Sequence, residues 1–204
     1  MPIVEINMYE ATAKAIDYLQ KNGHRKIASA SICCWEDSNP RTVEWKDRLG
    51  EVLGNRIHDY FIGINRDELV DDNRMKQFDY DVDYVTKLEE KFFEKGILAA
   101  DIFIERKLDA TAIICFNDEM AFGFIRELQR LKKNVPADVS VMGFDATSRR
   151  KYISPLVTSI GLQPTVQGEK LAKTVIDVIE GNKYHYVSHS PTKFMPGESV
   201  KKII

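Results

Sequence analysis

Residues Ala110–Asp145 read ATAIICFNDEMAFGFIRELQRLKKNVPADVSVMGFD, and this pattern predicts one unit of strand, helix and strand. Residues 112–116 form a short and almost entirely apolar run, which is typical of a parallel strand buried on both faces. In the next segment apolar residues recur every three or four positions, as on one face of a helix, and Asp118 and Glu119 place negative charge on its first turn. Residues 139–144 then predict a second strand.

The two strands of this unit must be parallel, because a helix connects them. Their carboxyl ends therefore lie at one edge of the sheet, where Asn117 follows the first strand and Asp145 ends the second. Open α/β sheets bind ligands in a crevice beyond this edge. Asn117 and Asp145 are thus candidate ligand-binding residues. The alternatives are a helix cap for Asn117 and a turn brace for Asp145.

Similar strands and helices alternate along most of the chain. Parallel strands of one sheet are predicted near residues 3–7, 26–32, 60–64, 112–116 and 139–144, and an edge strand near 158–162. This alternation predicts an α/β fold with a doubly wound, mainly parallel sheet and helices on both faces.

Two predicted helices outside the central unit carry further expectations. In the first, Gly96 is expected to act as a joint between two helical segments, the second of which is residues 97–107. The other helix is expected over Thr165–Glu180, with apolar residues available for burial and Gly181 as its stop. Residues 183–204, which follow it, are expected to form a C-terminal tail.

Arg41 is a third candidate for the crevice. It lies in the first turn of a helix that Asn39 and Pro40 predict, since they place a cap residue before a proline at the first helical position. A helix that follows a parallel strand begins at the carboxyl edge, so Arg41 can reach the crevice. Its guanidinium suits bidentate recognition of ligand oxygens, and the alternative is a solvated arginine on a surface helix.

The composition excludes several classes of protein. With 204 residues, 44% of them hydrophobic, the chain can form an ordinary domain with a core. Lys and Arg number 29 against 31 Asp and Glu, so no global positive field attracts a nucleic-acid backbone. No apolar run approaches the ~20 residues of a membrane helix, and the start lacks the pattern of a signal peptide. We therefore expect a cytoplasmic protein without membrane contact.

Metal sites, cofactor sites and disulfide bonds are not predicted. The three cysteines are odd in number and lie on or beside predicted strands, as reduced core thiols do: Cys33, Cys34 and Cys115. The acidic residues between Asp79 and Glu90 mimic the spacing of a calcium loop, but Tyr84 replaces the required Gly. A glycine-rich phosphate loop and a nucleophile elbow are also missing from the sequence, so no cofactor is expected.

Three ordered segments resemble the effector-binding domain of lactose-repressor-type (LacI/GalR) transcriptional regulators. They are GHRKIA at 23–28, ATAIICFNDEMAFG at 110–123 and VPADVSVMGFD at 135–145. The resemblance implies a periplasmic sugar-binding-protein-like fold, with residues 7–162 as its second lobe and 163–182 as a helix that returns to the first lobe. It also implies that a DNA-binding helix-turn-helix head and most of the first lobe lie outside this chain.

The resemblance further implies which residues bind the ligand. Arg41 and Trp45 match the family pattern Arg-x-x-Gly-aromatic, although Glu44 replaces the glycine. Ile6 stands where relatives often have a ligand-facing acidic residue, so one acceptor of ligand hydroxyls is missing. Phe78 is the candidate for the aromatic that stacks on a sugar. Gln163 lies one residue after the position of the usual hinge glutamine. The implied set is Arg41, Asn117, Asp145, Ile6, Phe78 and Gln163.

These observations favour a ligand sensor, in which a small polar effector, most often a sugar in this family, controls a homodimer that binds DNA through the absent heads. One alternative is a solute-binding protein for transport or chemotaxis with the same fold. Another is an enzyme on a doubly wound sheet that uses Asp118 or Asp145 as a general base. The sequence shows no paired acid, base and nucleophile, so the enzyme is the less favoured alternative.

Overall fold

The computed structural model describes residues 2–36, 38–64 and 82–203. Its strands are β1 (Ile3–Ile6), β2 (Ile27–Ser31), β3 (Phe61–Gly63), β4 (Ala112–Cys115), β5 (Ser140–Asp145), β6 (Thr158–Gly161), β7 (Val187–Ser190) and β8 (Lys193–Met195). Its α-helices are α1 (Met8–Lys21), α2 (Pro40–Leu53), α3 (Val82–Glu105), α4 (Asp118–Arg130) and α5 (Pro164–Glu180). Short 3-10 helices cover Gly54–Tyr60 and Ser148–Tyr152.

The main sheet has the strand order β3-β2-β4-β5-β6-β8, and every neighbouring pair is parallel except β6 and β8. Helix α1 packs against α2, and α3 packs against α4, so that the helices form one pair on each side of the sheet. Buried apolar side chains fill the space between helices and strands. The predicted α/β class with a mainly parallel sheet is confirmed.

The first strand lies outside the main sheet, so the prediction that it joins the other parallel strands is wrong. β1 pairs in parallel with β7, with Ile3 opposite Val187 and Ile6 opposite Ser190. Alternation of side chains predicts a strand but not its partner, because strand preference depends on the tertiary surroundings. The partner arises only because α5 carries the chain back toward β1, which it contacts.

The C-terminal residues are ordered parts of the fold rather than a plain tail, because they contain β7 and β8. After β8 the chain runs back along the main sheet, where the buried Ser199 hydroxyl donates to the Val141 carbonyl (2.6 Å) and accepts from the Thr158 N–H (2.8 Å). Three short links thus join the β1–β7 pair and α5 to the rest of the fold, one of them to α1 and two of them to strands of the main sheet. They are residue 7, residues 162–163 and residues 191–192.

Helix α3 continues through Gly96, so the predicted joint is absent. A Cβ atom at Gly96 would lie 2.1 Å from the Met120 carbonyl oxygen, and one at Gly123 would lie 1.9 Å from the Phe93 carbonyl oxygen. The glycines are therefore the points where α3 and α4 cross with their backbones nearly touching. A glycine within a helix can mark either a break in the helix or a close approach of another backbone. Here Gly96 marks a close approach.

Helix α5 occupies the predicted range but leaves its apolar residues largely exposed. It packs on β1 and β7, and Thr174 is its one buried residue. The exposed apolar side chains include Val166, Leu171, Val175, Ile176, Val178 and Ile179. Most of the residues that were available for burial on this helix are therefore uncovered in the single chain. Across the described ranges, no helix has the combined length and apolar character needed to cross a membrane.

The three cysteines are reduced thiols, and only two of them are core residues. Cys33 and Cys115 are buried, whereas Cys34 is exposed in the loop after β2, which corrects the expectation for this thiol. Within the described residues, no three side chains of His, Cys, Asp or Glu are grouped as a metal site requires. The acidic residues from Asp79 to Asp81, part of the calcium-like series, lie outside the described residues.

Candidate ligand-binding crevice

A pocket opens at the carboxyl edge of the main sheet, between β2 and β4. Its cavity volume is about 10 Å³, room for about one water molecule, and the pocket is partly open to solvent. The last residues of the two strands line it on opposite sides, Ser29–Ser31 from β2 and Ile114–Phe116 from β4 and the turn that follows. The chain leaves β2 for β3 on one side and returns to β4 on the other, so the pocket lies where the strand order reverses. This is the usual ligand position of open α/β sheets.

Helix α2 places the Arg41 side chain in this pocket. The helix begins at Pro40, and the Asn39 side chain accepts a hydrogen bond from the Arg41 N–H at 3.0 Å. The guanidinium carbon lies 4.3 Å from the ring centre of Phe116 and 5.1 Å from that of Phe144, both within cation–π range. Nε of Arg41 is buried without a hydrogen-bond partner. The arginine is therefore held between two aromatic rings with donor capacity left for a ligand.

Asp145 is not part of the pocket wall, but its carboxylate is a nearby charge of opposite sign that interacts with Arg41. Burial lowers the pKa of Arg41, and the attraction of the Asp145 carboxylate opposes that effect. For Asp145, burial raises the pKa and Arg41 opposes the rise. Asp145 has a φ of 91°, a conformation that is rare and strained for a residue with a side chain. Two partly desolvated charges at the edge of one crevice can bind a ligand that has both hydrogen-bond donors and acceptors.

Asn117 serves as the cap of α4. Its side-chain oxygen accepts a hydrogen bond from the Met120 N–H at 2.9 Å, which confirms the cap expected as the alternative role. The side chain is 8% exposed and is not part of the pocket wall. Contact with a ligand remains a prediction for Asn117, and it would have to coexist with the cap.

Asp118, the next residue, is a fully buried carboxylate whose structural role the sequence did not reveal. One oxygen accepts from the Ser159 hydroxyl at 2.7 Å, and the other accepts from the Thr147 N–H at 2.8 Å. Burial raises the pKa of Asp118 to about 7, although these two hydrogen bonds lower it. The carboxylate lies against Gly143, where a Cβ atom would come within 2.4 Å of it. Asp118 thus ties α4 to β6 and to the turn after β5.

Phe116 and Phe144 are the site residues that sequence reasoning missed. Each is the last apolar residue of a predicted strand, and the two strands were predicted to be parallel neighbours. Position at a shared carboxyl edge was therefore a usable signal for both. The stacking of Phe92 on Phe116, with 5.9 Å between ring centres, had no such signal because it joins α3 to β4.

Of the predicted site residues that the structure describes, Arg41 alone lines this pocket. Ile6 is half-buried at the end of β1, opposite Ser190. The Gln163 side chain donates to the carbonyl of the preceding Leu162 at 3.1 Å, directly before α5. Phe78 lies outside the described residues. Of the implied set, the fold brings the charges of Arg41 and Asp145 close enough for each to affect the pKa of the other, and Asn117 follows the pocket residue Phe116 in sequence.

A family model described as a periplasmic binding protein-like domain matches residues 16–200. This chain belongs to that family. The matched range contains the main sheet, the crevice and α5, and it leaves out only β1 and the start of α1 at the amino end.

Several proteins that are similar to this chain are named as transcriptional regulators. The helix-turn-helix-type transcriptional repressor PurR of Vibrio atlanticus (strain LGP32) is 30% identical over 155 residues, which cover 76% of this chain and 39% of that protein. A LacI family transcriptional regulator from Enterococcus faecium, solved with bound ribose, has a TM-score of 0.70 at 21% identity and is matched by 100% of this chain over 66% of its own.

The complex of the transcriptional regulator CelR with cellobiose is a second structural match. It has a TM-score of 0.69 at 21% identity, and 98% of this chain covers 54% of that one. This chain spans about half or less of the length of the curated relatives it matches. The family resemblance predicted from the sequence is confirmed, and so is the periplasmic binding protein-like fold.

Proposed function

We propose that this chain is the effector-binding part of a transcriptional regulator and that its crevice binds a small polar effector of the sugar class. The observation that carries the proposal is Arg41, a guanidinium held between Phe116 and Phe144 with a buried, unpartnered Nε. The names of the relatives support regulation, and two regulators of similar fold bind ribose and cellobiose.

A sugar fits the chemistry of this crevice better than an apolar ligand does. Arg41 offers hydrogen-bond donors, and Asp145 offers acceptors to sugar hydroxyls. Phe116 and Phe144 hold the guanidinium in place, because it lies over both of their rings. Because Ile6 replaces an acidic residue common in relatives, Asp145 is the carboxylate on which hydroxyl recognition depends in this proposal.

Binding explains the site better than catalysis does. Both carboxylate oxygens of Asp118 are engaged by Ser159 and Thr147, so Asp118 is not free to act as a general base. A bound effector regulates by its different affinity for two conformations of the protein, which requires no reaction. We infer a cytoplasmic regulator that reaches DNA through a helix-turn-helix head. The gene sequence before Met1 would distinguish this from a solute-binding protein, for which a leader peptide is expected.

We further infer that two copies associate through the surface around Tyr152, which is 86% exposed. This side chain borders a cavity of about 400 Å³ with polar and apolar lining from α3, α4 and the turn after the second 3-10 helix. Exposed aromatic side chains such as tyrosine are enriched at protein interfaces. In light scattering, Tyr152→Glu should halve the mass, whereas Tyr9→Glu on α1 should not. A monomeric wild type, or a mass that falls only with Ile179→Glu on α5, would contradict this interface.

Titration calorimetry with ribose, cellobiose and related sugars tests the crevice. Arg41→Lys keeps the charge but loses the planar fork, and Asp145→Ala removes the acceptor. Each should weaken binding of the sugar that the wild type prefers about fivefold to more than a hundredfold, which corresponds to ~1–3 kcal/mol for a lost buried partner. Arg48→Lys is the matched control, because Arg48 lies on the same helix but pairs with Asp17 and Glu44 at the surface.

Two results would contradict the proposal. Unchanged affinity in both Arg41→Lys and Asp145→Ala would remove the crevice from it. Equal weakening by Arg48→Lys would show that the effect comes from α2 as a whole and not from the guanidinium in the pocket. Circular dichroism of each variant separates loss of binding from loss of fold.

A further inference from the structure

A second cavity, of about 480 Å³, opens at the amino edge of the main sheet, on the edge opposite to Arg41. Its place follows from the residues of its wall: Ala110 precedes β4 and Val139 precedes β5, while Phe103 and Leu128 lie near the ends of α3 and α4. These four side chains are buried and apolar. The volume is within the ~300–1,000 Å³ range of pockets that bind small molecules.

Two lysines stand at the mouth of this cavity, and the backbone fixes their positions. Lys107 follows α3 and has a φ of 49°. The backbone N–H of the next residue, Leu108, donates a hydrogen bond to the Phe103 carbonyl at 3.4 Å. Lys133 follows α4, and its own N–H donates to the Leu128 carbonyl at 2.8 Å. Both side chains are exposed at their ends, and neither is paired with a carboxylate in the part of the chain that the structure describes.

The remaining charges at this edge leave a positive balance. Asp138 also borders the cavity, but its carboxylate accepts from the Asn134 N–H at 2.6 Å within a turn. The Lys201 ammonium, bound to the adjacent Ala137 carbonyl, offsets that charge. The carboxyl ends of α3 and α4 each contribute about half a negative charge, which together offset about one of the two positive charges of Lys107 and Lys133. A net charge of roughly plus one therefore remains at the cavity.

We propose that this cavity binds a small carboxylic acid with an aromatic or branched aliphatic body. The apolar body would fill the space between Phe103, Leu128 and Val139, where it would be removed from water. The carboxylate would lie at the mouth, between Lys107 and Lys133, where charge-assisted hydrogen bonds favour it. Such a site is separate from the effector crevice and does not depend on what the crevice binds.

The experiment measures binding of 3-phenylpropionate to the 204-residue chain by methyl NMR and calorimetry. Saturable shifts are expected for the methyl groups of Leu128 and Val139. Its neutral analogue, 3-phenylpropanamide, should bind about tenfold more weakly, since it lacks the charge that the two lysines recognise. The double variant Lys107→Glu, Lys133→Glu should bind 3-phenylpropionate about tenfold or more weakly than the wild type does. Its affinity for the amide should be nearly unchanged.

Lys132→Glu is the matched control, because Lys132 is exposed beside Lys133 but does not border the cavity. The affinity of this variant for 3-phenylpropionate should stay within about twofold of that of the wild type. Ala110→Leu, which fills the cavity, should abolish binding of acid and amide alike. Absence of saturable shifts at millimolar probe would overturn the proposal. So would shifts confined to the surroundings of Arg41, or equal weakening by Lys132→Glu and the double variant.

Discussion

Replacement of Gly123 by alanine tests how closely α3 and α4 pack. In an isolated helix this change is stabilising, because glycine costs about 0.5–1 kcal/mol relative to alanine. Here the new Cβ atom would lie 1.9 Å from the Phe93 carbonyl oxygen and 2.9 Å from its carbon. Backbone atoms cannot rotate away as the end of a side chain can, so the two helices must separate.

The size of the effect follows from these opposing terms. Overpacking of a dense core costs about 1–3 kcal/mol, and a contact with backbone at this distance belongs at the upper end of that range. After subtraction of the helix-propensity gain, Gly123→Ala should lower the free energy of unfolding by about 2 kcal/mol. Gly50→Ala in α2 is the control, because a Cβ atom there meets nothing within 4 Å. That variant should gain about 0.5–1 kcal/mol.

Urea unfolding, monitored by circular dichroism, measures both variants in parallel. The expected result is a lower midpoint for Gly123→Ala and a higher one for Gly50→Ala, with similar slopes. If Gly123→Ala were as stable as wild type, the close approach of α3 and α4 would be wrong. A loss of stability in both variants would instead point to a general cost of alanine at these helical positions.

Three further changes test buried polar groups. The pKa of the buried His24 is lowered from 6.5, chiefly by burial, so stability should be complete above about pH 6.5 and fall as the pH drops below it, a loss that His24→Gln should reduce in urea unfolding. The pKa of Asp118 is raised to about 7 by burial, so stability should fall as the pH rises from about 4 to about 7, and Asp118→Asn should flatten that slope. Ser199→Ala removes a hydroxyl that bridges Val141 and Thr158, and it should cost about 1–3 kcal/mol in thermal unfolding.

Each of these predictions has a control and an opposing outcome. His185→Gln, at an exposed position, should leave the acid transition where it is, and an identical shift from both histidine variants would refute the role of His24. An unaltered slope between pH 4 and 7 in Asp118→Asn would assign that titration to other carboxylates. Ser188→Ala, in the outer β7 strand, should cost less than Ser199→Ala, and the reverse order would contradict the bridging role.

The order of apolar and polar residues in 110–145 was enough to predict the central unit. Burial on both faces of a strand and the periodicity of a helix depend on this local order alone. The predicted strand at 112–116 and helix from Asp118 both exist, and Asn117 caps the helix. Asp145 ends β5 at the same edge, as a parallel crossover requires. Features that depend only on neighbours in sequence were therefore predictable.

Features that depend on distant partners were not. The pairing of β1 with β7 joins residues more than 180 positions apart, and nothing in either strand selects the other. Gly96 was interpreted as a joint because its contact with Met120 is invisible in sequence. The aromatic surroundings of Arg41 are likewise assembled from α2, β5 and the turn after β4, so only its place at the edge could be inferred.

The three links that join the β1–β7 pair and α5 to the rest of the fold have a mechanical consequence. Because Ile6 is opposite Ser190 and Gly161 is opposite Lys193, the links lie side by side in a row. Each contains only one or two residues, and an extended residue spans at most ~3.6 Å, so little slack is available. Links arranged in such a row prevent the β1–β7 pair from sliding or twisting relative to the main sheet. Rotation of the pair about the line of the links, as about a hinge, meets little resistance. Any mechanical signal between the two parts would then be carried by a single angle.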